Sequence, residues 1–180
     1  MPRKTDTREL THSAVQKAVA RHLKKPFSTI VVDELCNGTF GYTKRLDVVA
    51  YTPNAQLIRV VECKASRADF IRGLAALPGY MALCHQFYVA APKDLIKLSE
   101  LPDGAGLMEV TSDGRVRQKR YAPKRDMEPK TYSFVLSRFL QKLIVQQSRM
   151  AEEELQKFYH ERNKFTFWLR DLEREARSLL

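Results

Sequence analysis

Apolar positions along this chain change their spacing several times, and each change predicts an element. Over residues 7–23, Leu10, Ala14, Val15, Ala18 and Leu23 recur at helical intervals, with Asp6 and Glu9 three apart at the start as in a capping arrangement. Residues 29–32 read as a first strand and 37–41 as a turn. Two Val- and Ile-rich runs, 46–50 and 57–64, follow as strands, joined by a segment of turn composition, Thr52-Pro53-Asn54-Ala55-Gln56. Ser66, with Asp69 three residues on, predicts a capped helix to about residue 77 that breaks at Pro78-Gly79 and resumes through 83. Residues 87–91 form a buried-type strand ended by Pro92, which a crossover helix would lay parallel to its neighbour. A short helix is expected over 94–101, then strands at 107–110 and 116–121 around the hairpin signal Ser112-Asp113-Gly114.

From residue 132 to 180 there is neither Gly nor Pro, and the segment predicts a long helix. Phe134, Leu136, Phe139, Leu140, Leu143 and Ile144 favour packing on the body. Beyond Met150 an apolar stripe through Leu155, Phe158, Tyr159, Phe165, Trp168, Leu169 and Leu172 runs among denser charges. That stripe is expected to lie back on its own domain, with dimerisation or a partner helix as the alternatives. The order of helix, three strands, helix, strand and further elements fits an α/β chain: an α+β mixed sheet with helices on both faces. The expected division is a domain over 1–131 and a helical extension over 132–180.

Charge narrows the choice of ligand. The net charge is +10. Residues 1–131 hold 22 Lys and Arg against 14 Asp and Glu, whereas 132–180 hold 9 against 7, so the basic excess belongs to the first part. Such a body suits a polyanion. Cys36, Cys63 and Cys84 are odd in number and far apart, which points to a reducing compartment, here the cytoplasm, and away from a disulfide framework or a zinc site. His12, His22, His85 and His160 show no ligand spacing and read as surface or core filler. No apolar run is long enough to span a membrane.

Within the predicted hairpin the pattern places chemistry. A turn centred near Asn54 and Ala55 sets Asp47 opposite Glu62, and cross-strand Cβ atoms lie about 4.5–5.5 Å apart. Glu62 and Lys64 are two apart and share one face. A core strand that ends in Glu-x-Lys opposite an aspartate is costly unless a cation takes up the negative charge. A hard divalent ion such as Mg²⁺ suits Asp47 and Glu62, with the Cys63 carbonyl as a further oxygen ligand and waters filling the rest. Lys64 would then orient or deprotonate a water, or stabilise charge on a phosphate. The competing explanation is an exposed cross-strand ion pair.

With Asp47, Glu62-Cys63-Lys64 and this element order, the chain resembles the PD-(D/E)xK nuclease superfamily. More narrowly it is similar to the MmcB-like DNA repair family and related phage proteins. That similarity rests on Arg45-Leu46-Asp47, Val61-Glu62-Cys63-Lys64-Ala65-Ser66, Ala68-Asp69-Phe70, Pro78-x-Tyr80, Cys84, Phe87-Tyr88-Val89-Ala90-x-Pro92 and Pro102-x-Gly104-x-Gly106-Leu107. It covers about residues 7–125. It implies a restriction-endonuclease-like core, Mg²⁺ or Mn²⁺ on Asp47 and Glu62, and Lys64 serving the water or phosphate. Leu46 stands where the superfamily's name has proline. The stretch 71–77 reads Ile71-Arg72-Gly73-Leu74-Ala75-Ala76-Leu77 where relatives usually show further acidic and basic residues and often a tryptophan, and His85 replaces a usual aspartate. An acid from the first helix is common in the superfamily: Glu9 is the positional candidate, with Glu34 the second.

Arg115, Arg117, Lys119 and Arg120 cluster on the last predicted strand, where alternate basic residues make a candidate phosphate-contacting face for DNA. A solvated edge strand guarded by basic residues explains them equally. The leading expectation is a Mg²⁺-dependent deoxyribonuclease in repair, recombination or phage DNA metabolism. The others are a non-catalytic DNA-binding relative, and an interaction module acting through the C-terminal helix.

Overall fold

The computed structural model describes residues 10–25, 29–36 and 45–178. Helix α1 (His12–Leu23) starts where Thr11 accepts a hydrogen bond from the Ala14 amide at 3.2 Å. The helix therefore opens at a threonine cap within the segment expected from the sequence; Asp6 and Glu9 lie outside the described residues. Six strands follow: β1 (Ile30–Cys36), β2 (Arg45–Thr52), β3 (Leu57–Cys63), β4 (Gln86–Pro92), β5 (Ala105–Val110) and β6 (Val116–Arg120). They form one mixed sheet in sequence order. Pairing is antiparallel from β1 to β3, parallel from β3 to β5 and antiparallel again at β6. The first strand is longer than the four residues expected, and the turn predicted at 37–41 lies outside the described residues.

A tight link joins β2 to β3. Pro53–Ala55 make a single 3-10 turn, and Gln56 takes a left-handed backbone, φ 47°, to reverse the chain. The register that results pairs Val48 with Val61 and Val49 with Val60. Alternation then divides the side chains. Val48, Ala50, Val61, Cys63, Tyr88, Ala90, Met108 and Val110 form one core layer with Val15, Ala18, Val19 and Leu23 of α1. Ile58, Val60, Phe87, Val89 and Leu107 are buried facing the other way.

That second face is covered by the crossover between β3 and β4 and by the start of the last helix. Helix α2 (Arg67–Gly73) is capped by Ser66, whose hydroxyl accepts from the Asp69 amide. It yields to a 3-10 turn at Leu74–Ala76 and then to α3 (Leu77–Met81). The break expected at Pro78-Gly79 thus falls earlier. Pro78 sits in the first turn of α3, where a missing N–H costs nothing, so it starts a helix instead of ending one. Tyr80 of α3 stacks on Phe87 with ring centroids 6.4 Å apart, and Phe139 of α4 (Pro129–Ser178) meets Tyr51 edge-on at 5.9 Å. Helices therefore pack on both sides of the sheet, as expected.

The helix expected over 94–101 is reduced to a 3-10 turn at Leu98–Glu100, because Asp94 adopts φ 62° and turns the chain. The β5–β6 hairpin forms as expected, with Gly114 at φ 76°. Compactness divides the chain into two units, Met1–Leu140 and Gln141–Leu180. The first unit reaches past the boundary expected at 131, because Val135 and Phe139 are buried in it. The second unit is helical through Ser178. Among the described residues no helix is long and apolar enough to cross a membrane.

Phe139 is 1 % exposed. Phe139→Ala is expected to cost about 3–5 kcal/mol of stability, read by denaturant unfolding of the full chain. A loss below about 1 kcal/mol would show that the start of α4 is not part of the first unit's core.

Candidate active site

Where β3 leaves its antiparallel neighbour and joins a parallel one, its last residues are polar. The β2–β3 register, continued one step beyond Val48 and Val61, sets Asp47 against Glu62. Asp47, Glu62 and Lys64 are each only 6 % exposed, in a row otherwise filled by apolar residues. Lys64 follows the strand and keeps its backbone in the sheet, donating to the Ala90 carbonyl at 2.8 Å. The structure brings these three predicted residues together.

Asp47 is held from two sides. The Cys63 amide donates to its Oδ2 at 2.8 Å, and His12 Nε2 lies 3.2 Å from the same oxygen. A carboxylate oxygen only accepts, so His12 is the donor. The Gln16 side-chain amide donates to the Asp47 carbonyl at 2.9 Å. Cys63 divides its roles: its thiol belongs to the core layer under α1, where burial pushes it upward in pKa, while its backbone faces β2. In a strand the N–H and C=O of one residue point the same way, so the Cys63 carbonyl is directed toward the β2 side, as its N–H is.

Lys64 is confined more tightly than a surface lysine. Its Nζ donates to Glu62 Oε1 at 2.9 Å and lies 3.8 Å from Asp69 Oδ1. Gly73 closes the other side: a Cβ there would fall 2.7 Å from Nζ. A side chain at position 73 would push the ammonium aside. Asp69 therefore does more than open α2; its carboxylate faces Lys64.

One oxygen in this cluster is left without a partner. Glu62 Oε2 is buried and accepts no hydrogen bond from the described residues. Burial raises the Glu62 pKa, the neighbouring Asp47 raises it further, and the Lys64 ammonium offsets part of the rise. Tyr80 senses the same charges: its phenol is pushed up to about 12, first by burial and then by Glu62 and Asp47. The orphaned oxygen and the like-charged neighbour are what a small hard cation would relieve, and two carboxylates with a backbone carbonyl suit Mg²⁺, which retains waters. Among the described residues no three His, Cys, Asp or Glu side chains converge on one point.

Other predicted positions fare differently. Glu34 sits within β1 at φ 51°, half exposed and 3.4 Å from Arg45, so its charge is taken up there. Glu9 lies outside the described residues. On the edge strand β6, Arg120 is a correction: its guanidinium donates to the carbonyls of Ala105, Leu98 and Pro102 and ties loops together. Lys119 lies 3.5 Å from the buried Glu109, and Arg115 pairs with Asp113 at 3.1 Å. Arg117 is exposed, and its guanidinium makes no hydrogen bond or ion pair with the described residues. Of the residues at the site, His12, Gln16 and Gly73 were not expected from sequence. His12 and Gln16 are four apart on α1, but nothing in the sequence ties that turn to Asp47.

No protein-family model matches the chain, and no curated protein matches it. A solved structure of a protein of unknown function from Silicibacter pomeroyi is similar, with a TM-score of 0.67 and 26 % sequence identity over 83 % of this chain and 95 % of that one.

Because Glu62 is raised above its ordinary 4.5, stability from this group is full below that value and falls as pH rises through the raised one. Glu62→Gln keeps an acceptor for Lys64 but removes the charge. Without metal, the variant should melt higher than wild type at neutral pH, and its melting temperature should depend less on pH from 4.5 upward. Superimposable melts across that range would contradict the assignment.

Proposed function

We propose that this protein is a divalent-metal-dependent nuclease that hydrolyses DNA phosphodiester bonds, built on a restriction-endonuclease-like core of the PD-(D/E)xK superfamily. The observation that carries the reading is the buried, unpartnered Glu62 Oε2 beside Asp47. The Lys64 ion pair leaves this oxygen unsatisfied, and a bound cation would satisfy it.

Asp47, Glu62 and the Cys63 carbonyl would hold Mg²⁺ or Mn²⁺. When bound, such an ion polarises a phosphate oxygen and lowers the pKa of a coordinated water. The chain's own groups supply the rest. Asp47 presents its second oxygen, since Cys63 and His12 occupy Oδ2. Lys64 is fixed by Glu62, Asp69 and Gly73, so its ammonium is already in place to orient a water or meet charge growing on a phosphate. Burial of all three side chains strengthens these interactions relative to water.

Substrate binding falls to the basic surface. Arg117 and Lys119 face outward on β6, and the net charge of +10 favours a polyanion without base-reading groups. We therefore assign weakly sequence-selective or structure-directed DNA binding, in a repair, recombination or phage setting. Arg120 is not among the DNA contacts. Buried, free Cys63 and Cys84 accord with a reducing compartment such as the cytoplasm.

The test uses purified full-length protein with plasmid and oligonucleotide substrates, with Mg²⁺, with Mn²⁺ and with chelator. Cleavage should require metal. Asp47→Ala and Lys64→Ala should each lower it by at least about 10²-fold while DNA binding persists. Metal-independent cutting, or cutting that survives both substitutions, overturns the proposal. Binding without cleavage under either metal would make the protein a non-catalytic DNA binder of the same fold.

A further inference from the structure

We infer that His12 and Gln16 are positioning residues: one turn of α1 that aims the Asp47 carboxylate at the cation site. The inference rests on the metal site proposed above, and its geometry comes from a part of the fold that the acidic pair does not explain.

Residues four apart on a helix stand one above the other on the same face. On α1, His12 and Gln16 both reach Asp47, one at the side chain and one at the backbone. The helix itself is fixed, because Val15 and Val19 are fully buried in the core layer and Thr11 caps its start. The sheet explains why a helix must intervene. Between β1 and β2 the register pairs Asp33 with Val48 and Leu35 with Leu46, but omits Glu34 opposite Asp47. Glu34 has turned to φ 51° at that step. Gln16, 9 % exposed, supplies the donor to the Asp47 carbonyl at this gap in the ladder.

The side chain is set by the same turn. His12 Nε2 and the Cys63 amide both donate to Oδ2. Two donors on one oxygen fix the carboxylate plane and leave the other oxygen for an ion. The His12 side chain is 40 % exposed, so this donor stands where the buried pair meets solvent. Groups that orient a metal ligand in this way are commonly worth about 10–100-fold in metal affinity. His12→Ala should therefore weaken the ion without removing a ligand.

Mn²⁺ itself is the probe, titrated calorimetrically into the metal-free full-length protein. Wild type should bind, His12→Ala should bind about 10-fold or more weakly, and His12→Gln, which keeps an N–H donor, should recover most of the loss. A second arm needs no metal: nitrogen-resolved NMR of the His12 ring should place the proton on Nε2, and Asp47→Ala should shift that signal. Equal Mn²⁺ affinity in wild type and His12→Ala overturns the inference, as does a ring protonated only on Nδ1. An Nε2 proton that responds to Asp47→Ala in a protein that binds no Mn²⁺ overturns the metal reading and leaves His12 a purely structural donor.

Discussion

Two carboxylates of like sign, Asp47 and Glu62, are held side by side in a place that water barely reaches. Unit charges about 4 Å apart repel by roughly 4 kcal/mol at an effective dielectric of about 20. An unsatisfied buried polar atom adds on the order of 1–3 kcal/mol. Lys64 offsets part of this, but its ammonium satisfies only Oε1 of Glu62 and leaves Oε2 with no partner among the described residues. The groups around the pair are arranged to hold it in spite of that cost. The Cys63 amide and His12 take one oxygen of Asp47, Gln16 takes its carbonyl, and Gly73 leaves room for a lysine that would otherwise be displaced. A fold selected for stability alone would place apolar side chains here, as it does at Val49 and Val60 two steps away.

The sheet accounts for the location. β3 pairs antiparallel on one side and parallel on the other, and its last residues lie where the two patterns meet. The antiparallel side supplies Asp47 through the short link that fixes the β2–β3 register. The parallel side requires a crossover, and its opening helix α2 brings Asp69 and Gly73 onto Lys64. β3 thus carries Glu62 and Cys63, while the elements on either side bring Asp47, Asp69 and Gly73 to this end of the strand. Basic residues collect on β6, the far edge of the same sheet, although several of them are committed to structure.

The elements most legible in the sequence were those set by short-range pattern. The Val- and Ile-rich runs, the turn around Asn54 and the Ser66 cap were sufficient to place Asp47 opposite Glu62 and Lys64 beside it. The β5–β6 hairpin was legible for the same reason, since Gly114 supplies the positive φ that the turn requires. What escaped notice depends on backbone detail or on tertiary contact. Pro78 looks like a breaker until its position in the first turn of α3 is known. Asp94 turned left-handed and prevented the helix that its composition suggested. Arg120 belongs to a basic cluster in sequence, yet three carbonyls from 98–105 claim its guanidinium, and no local spacing announces which carbonyls those are. His12 has no ligand partner within reach in the sequence; it meets Asp47 only because α1 packs across the strands.

All of these relations converge on whether a hard cation binds between two side chains. A crystal grown with Mn²⁺ and measured at an anomalous-sensitive wavelength decides the matter without reference to substrate or activity. A single strong anomalous peak is expected in contact with Asp47 and with Glu62 Oε2, within about 2.0–2.6 Å of each oxygen. No peak there, with Oε2 hydrogen-bonded instead to an ordered water or a protein donor, would contradict it.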